Sequence, residues 1–432
     1  MSKKNSQFLT YFIIVVAACG YFVDIYDLIL FNVVKKDSLE AIMKGANPDA
    51  IKSTGILLFN LQMTGMLIGG ILWGILGDKR GRLSVLFGSI LLYSAANILN
   101  AFVTSIPMYE VVRVLAGIGL AGELGAGVTL VSESMSKEKR GYGTMIIVSF
   151  GALGAVAAAL VSAHGAGIGN RLSLVLNITL AGWQVAYLIG GVLGFFLLML
   201  RIGTIESGMF KNIENANVSR GNIFMLFNNR ARFLKYLRCI LVGLPIWYIV
   251  GLIVANSESI WVKELGVSGK VVNGSAVLYS YLGLCVGDIL SGVLSQVWRS
   301  RKKVVMLYLA ICAMVIVYFF FFANGVSVNG FYTLTFLLGA ATGFWALFVT
   351  VAAEQFGTNI RSTVTNTTPN FVRGSVPLIL MLFQFLQGHS ISTTTSAFIV
   401  GMLCLSLSFW AISTMGETFG KDLDYAEGHT EI

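Results

Sequence analysis

The chain has 432 residues, of which 56% are hydrophobic and only 12% are charged, and its mean hydropathy is +0.78. Soluble domains carry roughly 25% charged residues, so this composition excludes a soluble globular protein and predicts a membrane protein. The formal net charge of +9 would indicate nucleic-acid binding only on a soluble basic domain. The sequence offers no such domain, so we expect no nucleic-acid partner.

Twelve apolar segments have the ~20 residues that a helix needs to cross a bilayer. In chain order they cover 8–34, 54–77, 84–103, 107–131, 143–163, 180–202, 237–256, 271–296, 303–323, 331–356, 366–388 and 394–415. In membrane proteins basic residues concentrate in the cytoplasmic loops, so their distribution predicts how the chain is oriented in the membrane. With the N-terminus inside, 21 of the 30 basic residues fall in cytoplasmic segments and 7 in external ones. We therefore expect a multi-pass protein with both termini in the cytoplasm.

The first segment carries two acidic residues, Asp24 and Asp27, within an otherwise apolar run. An Asp at the centre of a membrane helix costs about 2.5–3.5 kcal/mol on the insertion scale. Residues three apart share one helix face, so both carboxyls can face a water-filled passage. Two carboxyls this close favour the protonation of one of them, because like charge and partial desolvation both raise a carboxyl pKa. This pattern indicates a proton carrier. For Asp27 the alternative is an acid at the outer end of the helix that only anchors it.

The fourth segment carries Arg113 in its outer half and Glu123 near its middle. Glu123 lies ten residues before Glu133, which marks the cytoplasmic end, and ten helical residues span ~15 Å. We expect Arg113 to pair with Asp24 or Asp27 across the first and fourth helices. The alternative to a coupling role is a structural Arg–Asp pair that fixes helix packing.

The middle of the chain separates two similar halves. Residues 203–236 form the longest and most polar cytoplasmic segment, between a six-helix bundle at 1–202 and another at 237–432 that ends in a short cytoplasmic tail. Residues 66–82 align without gaps on the segment that begins at 284, at an offset of 218. Two related six-helix halves indicate a transporter whose substrate site lies between them near mid-membrane.

The second half holds one basic residue well inside a span, Arg373. A guanidinium matches a carboxylate through two parallel hydrogen bonds, which favours an anionic substrate. The alternative is a pair with Asp288, whose counterpart in the first half is Gly70. Asp288 is itself a further candidate substrate ligand. Aromatic and amide side chains are predicted to complete the lining of the substrate cavity. They are Tyr26, Gln62, Trp247, Tyr248, Trp345, Asn370 and Gln384.

The stretch GILGDKRGRL, from Gly74 to Leu83, resembles the loop motif between helices 2 and 3 of the major facilitator superfamily. RVLAGIGLAG, from Arg113, is similar to the helix 4 motif of that superfamily. The resemblance implies an all-α membrane fold of twelve helices in two six-helix bundles that work by alternating access. It also implies that charged residues at cytoplasmic helix ends form a gate. The residues expected in this gate are Gly74, Asp78, Lys79, Gly81, Arg82, Glu133, Arg140, Glu354 and Arg361.

A finer resemblance is to the metabolite:proton symporters of this superfamily, whose helix 1 carries an acid, an aromatic residue and Tyr-Asp. Here the sequence is Asp-Ile-Tyr-Asp from Asp24 to Asp27, so the aromatic residue is absent and Asp stands where Glu is usual. Helix 4 of that group often reads Gly-Gly-Glu, and here it reads Ala-Gly-Glu up to Glu123. Aromatic-acid and sialic-acid symporters share the acid pair, so the subfamily stays open.

These observations predict a secondary transporter that takes up a small organic anion together with protons. Asp24 and Glu123, with Asp27, would carry the proton, Arg113 would sense that charge, and Arg373 would bind the substrate. The deep parts of the membrane spans hold more acids than arginines, and this surplus would also suit a zwitterionic or cationic substrate. The acids are Asp24, Asp27, Glu123 and Asp288, and the arginines are Arg113 and Arg373. Export and facilitated diffusion are further alternatives. A membrane enzyme is disfavoured because the three His residues form no cluster. We expect a monomer in a bacterial inner membrane, without cofactor or metal.

Overall fold

The computed structural model describes residues 3–176, 180–202, 206–207, 209–210 and 218–428. In this part of the chain twelve helices are long and apolar enough to cross a membrane, which confirms the predicted all-α membrane fold. They are α1 (Thr10–Ile42), α2 (Pro48–Arg80), α3 (Arg82–Ala101), α4 (Ile106–Ser134), α5 (Arg140–Gly165), α6 (Gly182–Leu200), α7 (Arg230–Glu264), α8 (Asn273–Val297), α9 (Arg301–Phe321), α10 (Val328–Gln355), α11 (Arg361–Gly388) and α12 (Thr393–Thr414). The described residues contain no β-strand beyond an isolated bridge between Ser268 and Ser327.

Several helices are longer than the apolar segments that predicted them. Helix α1 continues to Ile42 instead of ending near residue 34, and α7 covers Arg230–Glu264 instead of 237–256. Hydropathy marks only the part of a helix that lies in hydrocarbon. The backbone hydrogen bonds of α1 continue through polar residues such as Lys35 and Asp37, so the helix extends beyond the apolar run.

The predicted linker at 203–236 lies partly outside the described residues, which omit 203–205, 208 and 211–217. Its last part forms a short 3-10 helix at Ile223–Leu226 and then the first turns of α7. Six of the membrane helices precede this segment and six follow it. The division into two bundles that move as units remains a prediction.

Helices α4 and α10 are among those interrupted along their length, and their interruptions place backbone polar groups inside the bundle. Helix α4 breaks at Ala121–Gly122 and α10 breaks at Thr342–Phe344. The amide of Asn370 donates to the carbonyl of Ala121 at 2.9 Å. A carboxylate oxygen of Asp288 accepts from the backbone N–H of Ala346 at 2.9 Å. Side chains thus satisfy backbone groups that a continuous helix would have paired internally.

The two halves of the bundle contact each other most extensively where α5 meets α8 and where α2 meets α11. We call the end at which α2, α4, α6, α8, α10 and α12 terminate the basic end. At the opposite end a cleft with an empty volume of ≈ 1670 Å³ separates α1 and α5 from α7 and α8. The halves are therefore closed together at the basic end and parted at the other.

Close packing of α8 against α10 depends on glycine. A Cβ added to Gly339 would lie 1.9 Å from the carbonyl oxygen of Ser280, so Gly339→Ala would force the helices apart. Overpacking of this kind costs about 1–3 kcal/mol. We expect a lower midpoint of thermal unfolding for this variant in detergent. Gly388→Ala, in α11, has open space around the new methyl group and is the control. Equal midpoints for both variants would contradict the assigned packing.

Candidate functional site

A narrow central cavity lies between the two halves in this conformation. Helices α1 and α5 of the first half and α7, α8, α10 and α11 of the second contribute its wall. The lining residues are Tyr21, Ile25, Val148, Ala152, Ile246, Trp247, Val250, Tyr281, Leu284, Trp345 and Arg373. Among the described residues, the wall therefore consists of aliphatic groups, four aromatic rings and a single guanidinium.

The Arg373 guanidinium is buried at this wall and keeps unused hydrogen-bond capacity. It donates to the amide oxygen of Asn370 and to the hydroxyl of Tyr21, both at 3.3 Å. It also lies 5.7 Å from the ring centroid of Trp247 and 5.6 Å from that of Trp345. Within the described residues it forms no ion pair, and its Nε finds no acceptor. A buried cation without an anionic partner suits an anionic ligand.

Asp24 lies fully buried on α1, one helical turn beyond Tyr21. Neither of its carboxylate oxygens accepts a hydrogen bond from any residue that the structure describes. The charged groups that act on it are Arg373 and Glu123. A buried carboxylate without a donor is costly, and either a proton or a neighbouring cation relieves that cost. Asp24 therefore lies where either a proton or the Arg373 guanidinium can compensate its negative charge.

The predicted pairing of Arg113 with Asp24 or Asp27 is not formed in this conformation. Arg113 instead donates to the amide oxygens of Asn100 and Gln62, both at 3.2 Å. In the described part of the chain, no ion pair joins it to either acid. Three rings also face its guanidinium, those of Phe31, Tyr109 and Tyr187. Neutral groups thus hold the arginine, while Asp27 stays within its electrostatic reach.

Arg201 is a site residue that the sequence reasoning missed, because it stands at the cytoplasmic end of the apolar segment 180–202 and was counted among the cytoplasmic basic residues. Its side chain turns back into the bundle, where one Nη donates to Glu123 and the other to the carbonyl of Leu86 at 2.6 Å. Both partners of the ion pair are 1% exposed. A Cβ on Gly20 of α1 would collide with both of them, so glycine is what admits this pair.

The other predicted cavity residues divide into two groups. Asn370, Trp247 and Trp345 lie in or beside the cavity, as described above. Tyr26 points away from it and donates to the carbonyl of Ala186 at 2.9 Å. Gln62 binds Arg113, and Asp288 caps the second part of α10, so these three residues do not line the cavity.

At the basic end, polar residues of the first half bind the start of α11. Asp78 accepts hydrogen bonds from the backbone N–H groups of Ser362 at 2.9 Å and Thr363 at 2.8 Å. One carboxylate oxygen of Glu133 accepts from Arg82 of the first half and from Arg361 of the second, both at 2.8 Å. Asp78 and Glu133, two of the predicted gate residues of the first half, thus join the two halves directly.

A second cluster at the basic end is built around Arg301. The ungapped alignment sets Ser300 opposite Arg82, but the structure places Arg301 in the equivalent position as the first residue of α9. Arg299 takes a positive φ of 50° and accommodates one extra residue in the loop. Arg301 lies 3.5 Å from Glu354, as Arg82 pairs with Glu133. Arg301 is therefore the counterpart of Arg82 in the second half, which the ungapped alignment missed.

The remaining gate predictions fall on residues with different surroundings. Gly74 packs against the backbone of Thr363, where a Cβ would lie 2.7 Å from the α-carbon. Gly81 has a φ of 93°, which favours glycine in the turn between α2 and α3. Lys79 is exposed. Arg140 donates to the carbonyl of Lys421 at 3.1 Å.

The C-terminal segment adds a tie across the basic end. Leu423 and Tyr425 accept hydrogen bonds from Thr358 of the second half, while Asp422 binds Lys137 of the first half at 2.7 Å. The hydrogen bond from Lys137 lowers the pKa of Asp422 from 3.8 to about 2. This contact is therefore intact at neutral and mildly acidic pH and is lost only as the pH falls towards 2.

Comparison with known proteins gives a consistent result. The model of the Major Facilitator Superfamily matches residues 17–368. A Bacillus subtilis protein named as the niacin/nicotinamide transporter NiaP is 29% identical over 83% of this chain and 84% of its own. A Cupriavidus pinatubonensis protein named as a 4-methylmuconolactone transporter is 26% identical, over 68% of this chain and 66% of its own. The solved structure of the proton:xylose symporter XylE has the same fold, with a TM-score of 0.74 and 16% identity over 97% of this chain and 98% of that chain.

We expect Glu133→Gln to open the basic end, because it leaves Arg82 and Arg361 facing each other without the shared carboxylate. Breaking a buried ion pair by removing one partner costs about 3–5 kcal/mol. Spin labels at the exposed positions Arg80 and Arg299, in a cysteine-free background, report the distance between the halves. The variant should add a longer distance to the single short one of the parent. The exposed acid Glu138, changed to Gln, is the control and should leave the distribution unchanged. An unchanged distribution in Glu133→Gln would show that this carboxylate does not hold the gate.

Proposed function

The chain belongs to the Major Facilitator Superfamily, and we propose that it is a proton-coupled symporter of a small ring carboxylate. The observation that carries this proposal is Arg373, a buried guanidinium that forms no ion pair within the described residues, at the wall of an aromatic cavity. The Trp and Tyr rings stack against a planar substrate, and the guanidinium takes its carboxylate. Niacin and 4-methylmuconolactone, for which the two relatives are named, are small ring compounds that support this class.

Asp24 would carry the proton through competition for the same arginine. When Asp24 is ionised, Arg373 is the cation that compensates it. When Asp24 binds a proton, the guanidinium is released to hold the carboxylate of the substrate. Proton and substrate then favour each other's binding, and this reciprocal linkage couples transport to the proton gradient. Glu123 stays compensated by Arg201 and sets the field in which Asp24 titrates.

Alternating access would use the two ends of the bundle. The cavity and the cleft opposite the basic end are both lined by α1, α5, α7 and α8, so the cleft points towards the cavity along the same helices. With the basic end in the cytoplasm, the conformation described here opens outward. The reverse conformation would require the contacts of Asp78, Glu133 and Arg361 to separate.

Arg201 weakens the alternative of a cationic or zwitterionic substrate. The sequence suggested this alternative because the deep parts of the membrane spans hold two more acids than arginines. Counting Arg201 reduces that excess to one. That surplus acid is the proton site of the present proposal. Among the residues that the structure describes, no acid lines the cavity to bind an amine.

Replacing Arg373 should strongly lower the uptake of ring carboxylates. In proteoliposomes with an alkaline interior, the parent protein is expected to accumulate nicotinate or benzoate, but not the neutral nicotinamide. A charge-assisted hydrogen bond contributes ~1.5–3 kcal/mol, so Arg373→Gln should lower uptake by about tenfold or more, and Arg373→Lys by less. Arg299→Gln removes an exposed arginine and is the control. Undiminished uptake by Arg373→Gln would refute the assigned carboxylate site.

Asp24→Asn should separate transport from the proton gradient. The amide cannot exchange a proton, so we expect exchange of labelled for unlabelled substrate to persist at a rate that is independent of pH. Accumulation driven by an imposed pH gradient should be lost. Asp37→Asn, an exposed acid on the same helix, should retain both activities. Gradient-driven accumulation by Asp24→Asn would exclude Asp24 as the proton carrier.

A further inference from the structure

A basic pocket with an empty volume of ≈ 800 Å³ lies at the basic end, apart from the gate. It is bounded by the start of α7, the ends of α10 and α12, and Glu427 of the C-terminal segment. Arg232, Lys235 and Arg238 follow one another at intervals of three residues, so they present their charges from one face of α7. Glu427 is the one acid among the described residues that line the pocket.

The three basic groups have more donors than the pocket has acceptors. Glu427 lies 3.4 Å from Arg232 and 3.1 Å from Lys235. Lys235 also donates to the carbonyl of Gln355 at 3.0 Å. Arg238 lies over the ring of Trp410 at 5.6 Å, and its buried Nε has no acceptor in the described part of the chain. The pocket therefore keeps a net positive charge that a further anion can balance.

The position of the pocket points to a lipid as the source of that anion. Helix α7 begins at Arg230 and α12 ends at Thr414, so the pocket lies at the level of the helix ends, where phospholipid headgroups lie. Trp410 is 45% exposed, one turn inside the end of α12, as is typical of aromatic residues at the membrane interface. Leu403 is equally exposed and lies seven residues earlier on the same face. Together they form an apolar strip that leads from the pocket into the bilayer.

We propose that this pocket binds the phosphate of an anionic phospholipid, with Lys235 and Arg238 as its principal ligands and the acyl chains along Trp410 and Leu403. Basic pockets between membrane helices are suited to such headgroups. The phosphate replaces the carboxylate of Glu427, which occupies the pocket in its absence. The lipid is thus a ligand in its own right, and its binding does not depend on the transported substrate.

Thermal unfolding of the full chain in detergent tests this proposal. Phosphatidylglycerol should raise the midpoint of the parent protein by a few degrees, whereas phosphatidylcholine and inorganic phosphate should not. Lys235→Gln combined with Arg238→Gln should remove most of this rise. Arg80→Gln combined with Lys139→Gln removes two exposed charges from the same end and should retain it. Because the readout is stability, the result is independent of transport activity.

Three results would overturn the proposal. They are an equal effect of phosphatidylcholine, an equal effect of inorganic phosphate, and an equal loss in the Arg80/Lys139 control. Glu427→Gln provides a test that keeps the basic residues intact if the first double variant does not fold. Since it removes the competing carboxylate, the effect of phosphatidylglycerol should increase, and an unchanged or smaller effect would also overturn the proposal.

Discussion

A single carboxylate oxygen of Glu133 accepts hydrogen bonds from Arg82 and Arg361, which belong to opposite halves of the bundle. All three side chains are withdrawn from solvent. Removing charges from water is costly, and the cost is offset only where the hydrogen bonds are well aligned. Such a contact has no stable half-formed state, because partial separation leaves buried charges unpaired. The closed basic end is therefore suited to open and close as a unit rather than by gradual slippage.

The gate and the cavity share helices, and this gives a physical route between them. Helix α11 begins with Arg361 at the gate and carries Arg373 at the cavity, twelve residues or ~18 Å further along. Helix α4 carries Glu133 at the gate and Glu123 in the deep ion pair. Movement of either helix at the basic end must displace the charged groups near the middle of the bundle. On the proposed mechanism, separation of the halves at the gate would therefore be linked mechanically to rearrangement of the cavity.

The sequence was sufficient where the physical signal is local along the chain. Hydropathy predicts the twelve helices because each needs a long apolar run, and an arginine inside such a run marks Arg373 as exceptional. It was insufficient where the outcome depends on which way a side chain turns. Arg201 stands at the border of a span, and no local pattern shows that its side chain returns to meet Glu123.

Backbone irregularities hid other features. The extra residue accommodated at Arg299 shifts Arg301 out of the ungapped alignment. Asp288 resembles a substrate ligand in the sequence, but the break in α10 supplies the backbone N–H that it accepts from.

The charged groups near the middle of the bundle, within the described residues, have a formal surplus of one negative charge. They are the four acids Asp24, Asp27, Glu123 and Asp288 and the three arginines Arg113, Arg201 and Arg373. A bound monocarboxylate alone would raise this net negative charge by one in a medium that stabilises charge poorly. Binding one proton as well returns the net charge to its value in the empty carrier. On the proposed function, one proton per monocarboxylate is therefore the stoichiometry that leaves the buried charge unchanged between the empty and loaded carrier.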